Sequence, residues 1–295
     1  MNKWFKLPCY LLGCLLGSQV VSTQVQAEPL IWQATKGQQT LMMIGTVHIG
    51  QASMYPLPNQ INQFLMHSDG LIVETDINQP MPQLDLSHAI ASKNYLSSTQ
   101  QRRLITITKQ LNLDPDTLLN QPPWIAAISL ENESYKTLKL QPELGVDNIL
   151  MQQAHQQGIP LLSFETLAQQ FHLLNNLPND GKDLLTDTLE NWDKGQEFYA
   201  CMLDSWQAGD SAKLNQMLTA TEWDDKTTHA LLNDRNQRWV KQLIDPAFIS
   251  PQGKYVIAVG TMHFIGQHSV VALLKQQGYQ VQQVSHSTST DCSFE

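Results

Sequence analysis

Two similar stretches decide the fold of this chain: "LMMIGTVHIG" at residues 41–50 and "YVIAVGTMHFIG" at residues 255–266. In each stretch an apolar, strand-like run ends on Gly-Thr-x-His. With 15 Gly and 9 His in 295 residues, chance predicts roughly half of one G-x-x-H motif, yet two are present. Gly45 and Gly260 would each allow a sharp turn and a close approach of a ligand to the backbone.

The histidines of these turns are candidate site residues. In open α/β sheets, ligands bind beyond the carboxyl ends of the strands, so His48 and His263 converge if their strands are neighbours. A third candidate is Glu74 in "GLIVETDI" (70–77), which has the composition of a strand buried on both faces. Because an isolated buried carboxylate is costly, we expect Glu74 at the strand end, facing a cation, an imidazole or a metal. Asp76 is either its companion or a cap of the following loop.

Two histidines and one carboxylate are a known ligand set for a catalytic divalent metal, because they leave positions open for water. Other established catalytic signatures are missing: the sequence contains no H-E-x-x-H, G-x-S-x-G, P-loop or G-x-G-x-x-G motif. These absences exclude particular routes and leave hydrolysis open.

The order of apolar runs predicts a sheet assembled from both ends of the chain. Successive strand–helix–strand units favour parallel pairing, and a Lys-Gly-Gln-Gln turn after the first run predicts a hairpin. We predict strands at 30–34, 40–44, 70–77, 159–166, 254–260 and 279–284, and helices at 57–67, 144–158 and 266–277. The expected fold class is α/β (α+β), a central mixed sheet in one domain (28–295) with helical insertions at about 80–140 and 167–243.

Residues 1–27 have the pattern of a secretory signal peptide. Two lysines precede an apolar stretch at 7–16, and Val-Gln-Ala at 25–27 supplies small residues for cleavage. The stretch is too short for a permanent membrane anchor, so the sequence predicts export to the periplasm or beyond the cell. An alternative is a lipobox at 11–14, which would make Cys14 a lipidated N-terminus.

The composition of the chain argues against some classes of binding partner. The chain carries a formal net charge of −9 with no basic tract, which argues against nucleic acid or an anionic membrane as the main partner. Beyond the predicted leader only Cys201 and Cys292 remain. They form either a disulfide or two free thiols, and neither has the spacing of a zinc cluster.

Taken together, several motifs resemble the TraB/PrgY/GumN family, whose animal relatives are the Tiki proteases. The resemblance rests on "GTVH", "GTMH", "VET", "LGVDNILMQQAHQQGIPLLSFET", "NDRNQRW" and "VIAVGTMHFIGQHSVVALLKQQGYQV". Tiki-like members are metal-dependent proteases that use the two G-x-x-H motifs and the strand glutamate. The resemblance therefore implies His48, Glu74 and His263 as ligands of Mn, Co or Zn, and a peptide or protein substrate.

Further positions follow from the same resemblance. Arg235 and Asn236 match the family's R-N pair, which would orient a substrate carboxylate or stabilise an oxyanion. Glu165, in "SFET", is a ligand, a base, a supporting residue or an ordinary acid at a strand end. Asp147 either starts a helix as an N-terminal acid or supports the site.

Three functions remain open from the sequence. The first is an exported metal-dependent hydrolase, acting as a peptidase. The second is a non-catalytic exported binding protein for a peptide, haem or a metal, because one scaffold can host several chemistries. The third is a metal-free, esterase-like hydrolase in which His48 acts as base toward a water that Glu74 positions.

Overall fold

The computed structural model describes residues 27–220 and 223–294. The predicted leader, apart from Ala27, and the alternative lipid site Cys14 lie outside the described residues. Across these two ranges, no helix is long and apolar enough to cross a membrane. Six strands form the sheet: β1 (Ile31–Lys36), β2 (Gln39–Thr46), β3 (Gly70–Val73), β4 (Leu161–Ser163), β5 (Lys254–Gly260) and β6 (Gln280–Gln283).

The six strands form one mixed sheet in the order β4-β3-β5-β2-β1-β6. Strand β1 pairs antiparallel with β2 and with β6. The pairs β2–β5, β3–β5 and β3–β4 are parallel. The predicted α/β class with a central mixed sheet is therefore confirmed. Strand β5 lies between β2 and β3, with Gly260 opposite Thr46 and Ala258 opposite Val73. Both Gly-Thr-x-His turns and the segment after β3 thus leave the sheet at one edge.

Two strands are shorter than predicted. The expected strand at 70–77 ends at Val73, and the expected strand at 159–166 spans only Leu161–Ser163. Asp76 accepts hydrogen bonds from the backbone and side-chain amides of Asn78, a local turn that competes with continued strand pairing.

Helices form most of the rest of the described chain, except that residues 74–91, which include the start of the insertion predicted as helical at about 80–140, contain no helix. The α-helices are α1 (Asn59–Met66), α2 (Ser92–Tyr95), α3 (Ser98–Gln110), α4 (Pro115–Asn120), α5 (Pro123–Thr137), α6 (Val146–Gln157), α7 (Leu167–Asn175), α8 (Lys182–Asn191), α9 (Gly195–Gln207), α10 (Ser211–Ala220), α11 (Asp225–Thr228), α12 (Asp234–Leu243) and α13 (Val270–Gln276). Single turns of 3₁₀-helix lie at Ala52–Met54, Pro142–Leu144, Pro178–Gly181, Trp192–Lys194 and Thr261–His263, and a π-helical turn spans His229–Asn233.

Helices cover both faces of the sheet, so the core has three layers. Alternate residues of β5 point to opposite faces, as strand geometry requires. Ile257 and Val259 pack on one face with residues of α12 and α13, and Val256 and Ala258 pack on the other with residues of α1 and α6. A third cluster joins α3, α5 and α8 away from the sheet. The sheet is therefore rigid on both sides and can hold the residues at its edge in place.

A disulfide joins Cys201 of α9 to Cys292 near the C-terminus, with their Cα atoms 5.4 Å apart. Of the two possibilities left open by the sequence, the structure has the bonded one. The same helix carries Trp206, whose indole N–H donates a 2.8 Å hydrogen bond to the carbonyl of Gly45. The C-terminal tail is thereby connected, through α9, to the first Gly-Thr-x-His turn.

Removing this disulfide is expected to destabilise the protein. Because the bond closes a separation of 91 residues, the double variant Cys201→Ser/Cys292→Ser should lose about 2–5 kcal/mol of unfolding free energy. Urea denaturation with and without reductant measures the effect, and the double variant is its own control because reductant should no longer change its midpoint. Equal midpoints for the oxidised wild type and the double variant would contradict the prediction.

Candidate active site

His48, Glu74 and His263 surround Gly260. A Cβ atom placed on Gly260 would lie 3.1 Å from Glu74 Oε1, 3.7 Å from His263 Cδ2 and 3.9 Å from His48 Nε2. The fold therefore brings the three predicted residues, which follow the ends of β2, β3 and β5, to one point at the sheet edge. The glycine leaves open the space that any larger residue would fill.

The two Gly-Thr-x-His turns pack directly against each other. The Thr261 hydroxyl donates a 3.0 Å hydrogen bond to the Thr46 carbonyl. A Cβ on Gly45 would come within 2.7 Å of Thr261 Oγ1, so only glycine permits this approach. Gly45 of the first turn and Thr261 of the second thus set the relative position of the two histidines.

Hydrogen bonds fix the tautomer of His263. The Asn236 side-chain amide donates to the His268 carbonyl at 2.9 Å, so its Oδ1 faces His263 Nδ1 at 2.6 Å. His263 Nδ1 must then carry the proton, which leaves Nε2 as an acceptor. Burial lowers the pKa of His263 to about 3, so the ring is neutral, and the lone pair of Nε2 accepts from Arg235 Nη1 at 3.3 Å.

His48 is held in the same way by a carboxylate. Its Nδ1 lies 3.0 Å from Asp147 Oδ2, and Asp147 belongs to the first turn of α6. The Asp147 charge raises the pKa of His48, although 65% of the side-chain surface is exposed. As with His263, the bond at Nδ1 orients the ring and directs Nε2 toward Gly260.

Glu74 forms the ionic centre of the site. Its Oε2 lies 2.6 Å from Arg235 Nη2, and its Oε1 accepts a 2.8 Å hydrogen bond from the Gly260 N–H. Burial opposes the charged form, but Arg235, His48 and this backbone donor favour it, and the pKa of Glu74 is held well below its usual range. Glu74 is therefore a carboxylate across the physiological pH range.

Arg235 uses all five of its N–H groups on the protein. Its Nε and Nη2 donate to Glu165, Nη2 also donates to Glu74, and Nη1 donates to the Leu231 carbonyl and to His263 Nε2. Because a guanidinium has five donors, none remains for a substrate. The expected role of Arg235 in stabilising an oxyanion is replaced by that of holding Glu74 and Glu165 together.

Asn236 binds His263 through its oxygen and His268 through an amide N–H, so it orients the His263 ring, and its expected role toward a substrate stays a prediction. Glu165 pairs with Arg235 at 2.8 Å and accepts the indole N–H of Trp239 at 3.1 Å, so it supports the site through Arg235. Asp76 caps its own loop and is not among the residues gathered around Gly260.

Three contributors were missed from the sequence. Trp239 packs against the site, with its ring 4.3 Å from that of His263 at an angle of 42° and 4.6 Å from the Arg235 guanidinium carbon. Trp206 bonds the Gly45 carbonyl, and Gln170 reaches Glu74 Oε2 at 3.4 Å. Only Trp239 carried a usable signal: it lies four residues after Arg235, on the same face of a helix.

The donor set at Gly260 fits a divalent metal by its chemistry. Metal-bound histidines usually donate their second ring nitrogen to an oxygen acceptor, and both His48 and His263 do so here. Within the described ranges, no three His, Cys, Asp or Glu side chains are grouped closely enough to hold an ion as they stand. In this structure the positive charge beside Glu74 is that of Arg235.

The fold and site define an α/β protein whose polar centre is a His–Glu–His set at the carboxyl edge of a mixed sheet. The chain belongs to the TraB/PrgY/gumN family, whose family model matches residues 30–283. It is 29% identical over 248 residues to uncharacterized protein YbaP of Escherichia coli K12, covering 84% of this chain and 92% of that protein. It is 30% identical to YbaP of Shigella flexneri over 234 residues, covering 79% and 87%.

A shorter similarity links the chain to metalloprotease TIKI2 of Danio rerio. The two are 32% identical over 68 residues, which are 23% of this chain and 13% of that protein. No solved structure shows a significant match to the chain.

Proposed function

We propose that this protein is an exported, metal-dependent hydrolase that cleaves peptide bonds. The observation that carries the proposal is the shared arrangement of His48 and His263: an oxygen acceptor binds each Nδ1, His48 Nε2 lies beside Gly260, and His263 Nε2 lies 3.7 Å from Glu74 Oε1. The partial similarity to a protein named as a metalloprotease supports the same chemistry. The leader-like residues 1–27 support export.

Each residue of the site has a separate task in this proposal. His48, Glu74 and His263 would hold Mn, Co or Zn, which when bound supplies a Lewis acid and an acidified water. Asp147 and Asn236 orient the two imidazoles, and Arg235 keeps the Glu74 carboxylate ionised and in place. Because Asp147 raises the pKa of His48, the ion must displace a proton there, and binding should tighten as the pH rises.

Metal analysis tests the proposal directly. The purified protein, incubated with Mn, Co or Zn and then desalted, should retain about one ion per chain, measured by mass spectrometry. His48→Ala, Glu74→Gln and His263→Ala should lose both the ion and peptide cleavage. The loss should exceed the roughly 10–100-fold that follows loss of an outer-shell partner.

The matched control is His155→Ala, an exposed histidine of α6, which should retain both properties. Absence of bound metal under every supplementation, together with unchanged cleavage by His48→Ala, would reject the proposal. Binding of a peptide or haem without turnover would instead support a non-catalytic binding protein.

A metal-free hydrolase is the second candidate, because Arg235 already places a cation against Glu74 and His263. In that mechanism His48 is the base toward a water once it has lost its proton, and because Asp147 raises the pKa of His48, this activity should rise with pH. Cleavage that survives strong chelators and is lost in His48→Ala would select it over the metal-dependent reaction.

A further inference from the structure

Two cavities adjoin the site and share Thr46, His48 and Glu74 in their walls. One has a volume of about 310 Å³ and continues past Arg235 and His263. The other has a volume of about 480 Å³ and continues along the N-terminal end of α6. A ligand bound at Gly260 therefore has room on more than one side.

The smaller cavity has an apolar wall built from helices. Its apolar lining includes Met202, Leu214, Met217, Trp223, Leu231 and Leu232, together with Val47, Ile49 and Met262 at the two Gly-Thr-x-His turns. Thioether side chains adapt to apolar groups of different shapes, and the volume lies at the lower end of the range for ligand pockets, roughly 300–1,000 Å³. This cavity, which we call the apolar subsite, suits one large aliphatic or aromatic side chain.

The larger cavity has a mixed wall, in which polar side chains stand beside Val73, Ile77, Pro142 and Ala258, with no lysine or arginine among the described residues that line it. Thr75, Glu143, Asn148 and Gln170 contribute to its wall. Hydrogen-bonding groups of this kind suit a solvated stretch of polypeptide better than a buried apolar group. The chain of a substrate can thus continue away from the apolar subsite.

We propose that the substrate is an extended polypeptide cleaved at an internal bond, with a large apolar side chain held in the apolar subsite next to that bond. This inference rests on the proposed hydrolase function and specifies its substrate class. The site residues His48 and Glu74 stand where the two cavities meet, so a polypeptide crossing them presents a bond within its chain.

Leu231 offers a way to change the apolar subsite selectively. It is half-buried, lines the cavity, and is not a member of the hydrophobic clusters formed by the described core residues. Its carbonyl, which accepts from Arg235, is retained in any substitution. Leu231→Trp should fill the cavity without removing a site group.

The experiment uses internally quenched peptides with blocked termini, in pairs that differ only by Phe, Leu or Met against Ala at one position. The metal-loaded wild type should cleave the bulky peptide roughly tenfold faster or more, the low end of what such a difference in a hydrophobic pocket provides. In Leu231→Trp this ratio should fall about tenfold. Ile244→Trp, at an exposed apolar position after α12, is the matched control and should keep the wild-type ratio.

The possible results distinguish a failure of this substrate proposal from a failure of the proposed hydrolase function. Cleavage with equal rates for bulky and small residues, an unchanged ratio in Leu231→Trp, or cleavage only of peptides with free ends would overturn the inference alone. A metal-loaded wild type that cleaves none of the peptides would overturn both. Bound metal and thermal unfolding, measured for each variant, show whether Leu231→Trp remains folded and loaded.

Discussion

Replacing Arg235 with methionine is expected to destabilise the protein by about 3–5 kcal/mol and to abolish activity. Arg235 is 8% exposed and is paired with both Glu74 and Glu165. Methionine would leave two buried carboxylates without their cation, and an unpaired buried charge is costly. Chemical denaturation monitored by fluorescence measures the loss.

The destabilisation caused by Arg235→Met should depend on pH, because the substitution changes the pKa of Glu74. In the wild type the pKa of Glu74 is lowered, so its contribution to stability is present above the unfolded pKa of about 4.5 and is lost as the pH falls through the folded pKa. Without Arg235, burial raises the pKa of Glu74, and stability falls as the pH rises. The difference between wild type and variant should therefore be largest near neutral pH and shrink on acidification.

Arg238→Met is the matched control on the same helix. Arg238 also faces Glu165, at 3.6 Å, but half of its side chain is exposed, and an exposed pair contributes at most ~1 kcal/mol. A destabilisation of Arg235→Met no larger than that of Arg238→Met would show that the buried network does not hold the site.

The second large effect is expected from a single methyl group at Gly260. The backbone of Gly260 has φ −48°, a value open to any residue, so Gly260→Ala introduces no backbone strain. Its Cβ would lie 3.1 Å from Glu74 Oε1, and Arg235 restricts retreat of that carboxylate. We expect peptide cleavage to fall by up to ~100-fold, the cost of a misplacement of about 1 Å, and metal binding to weaken.

Gly195→Ala is the matched control, since a Cβ at Gly195 meets no atom within 4 Å and alanine favours a helix. Kinetics and metal content of both variants are compared, with thermal unfolding as a check on the fold. An active, metal-loaded Gly260→Ala would place the reacting groups elsewhere.

The convergence of His48 and His263 was predictable because both follow a strand and a Gly-Thr, and parallel strands end at a common edge. Glu74 was predictable because a carboxylate inside an apolar run needs a partner. What the sequence did not reveal is the number of donors that each partner has left. Arg235 is a plausible oxyanion ligand until its five N–H groups are assigned in three dimensions.

Strand order was also beyond the sequence. Nothing local indicates that β5 enters between β2 and β3, because that pairing joins Thr46 to Gly260 across more than 200 residues. Strand β3 ends earlier than predicted for a local reason: Asp76 and Asn78 form a turn that competes with strand pairing. The rings of Trp206 and Trp239 are buried in the core, and nothing in the sequence indicates the partners of their indole N–H groups, which are the Gly45 carbonyl and Glu165.

The insertion of β5 has a consequence for the life of the nascent chain. His48 and Glu74 emerge early in synthesis, but β5, which supplies Gly260, separates and pairs with both of their strands. Until β5 has been synthesised, the sheet lacks its central strand, and the site lacks both Gly260 and His263. Any activity of this centre is thus withheld from unfinished chains, and long-range pairing of this kind makes its appearance a late event in folding.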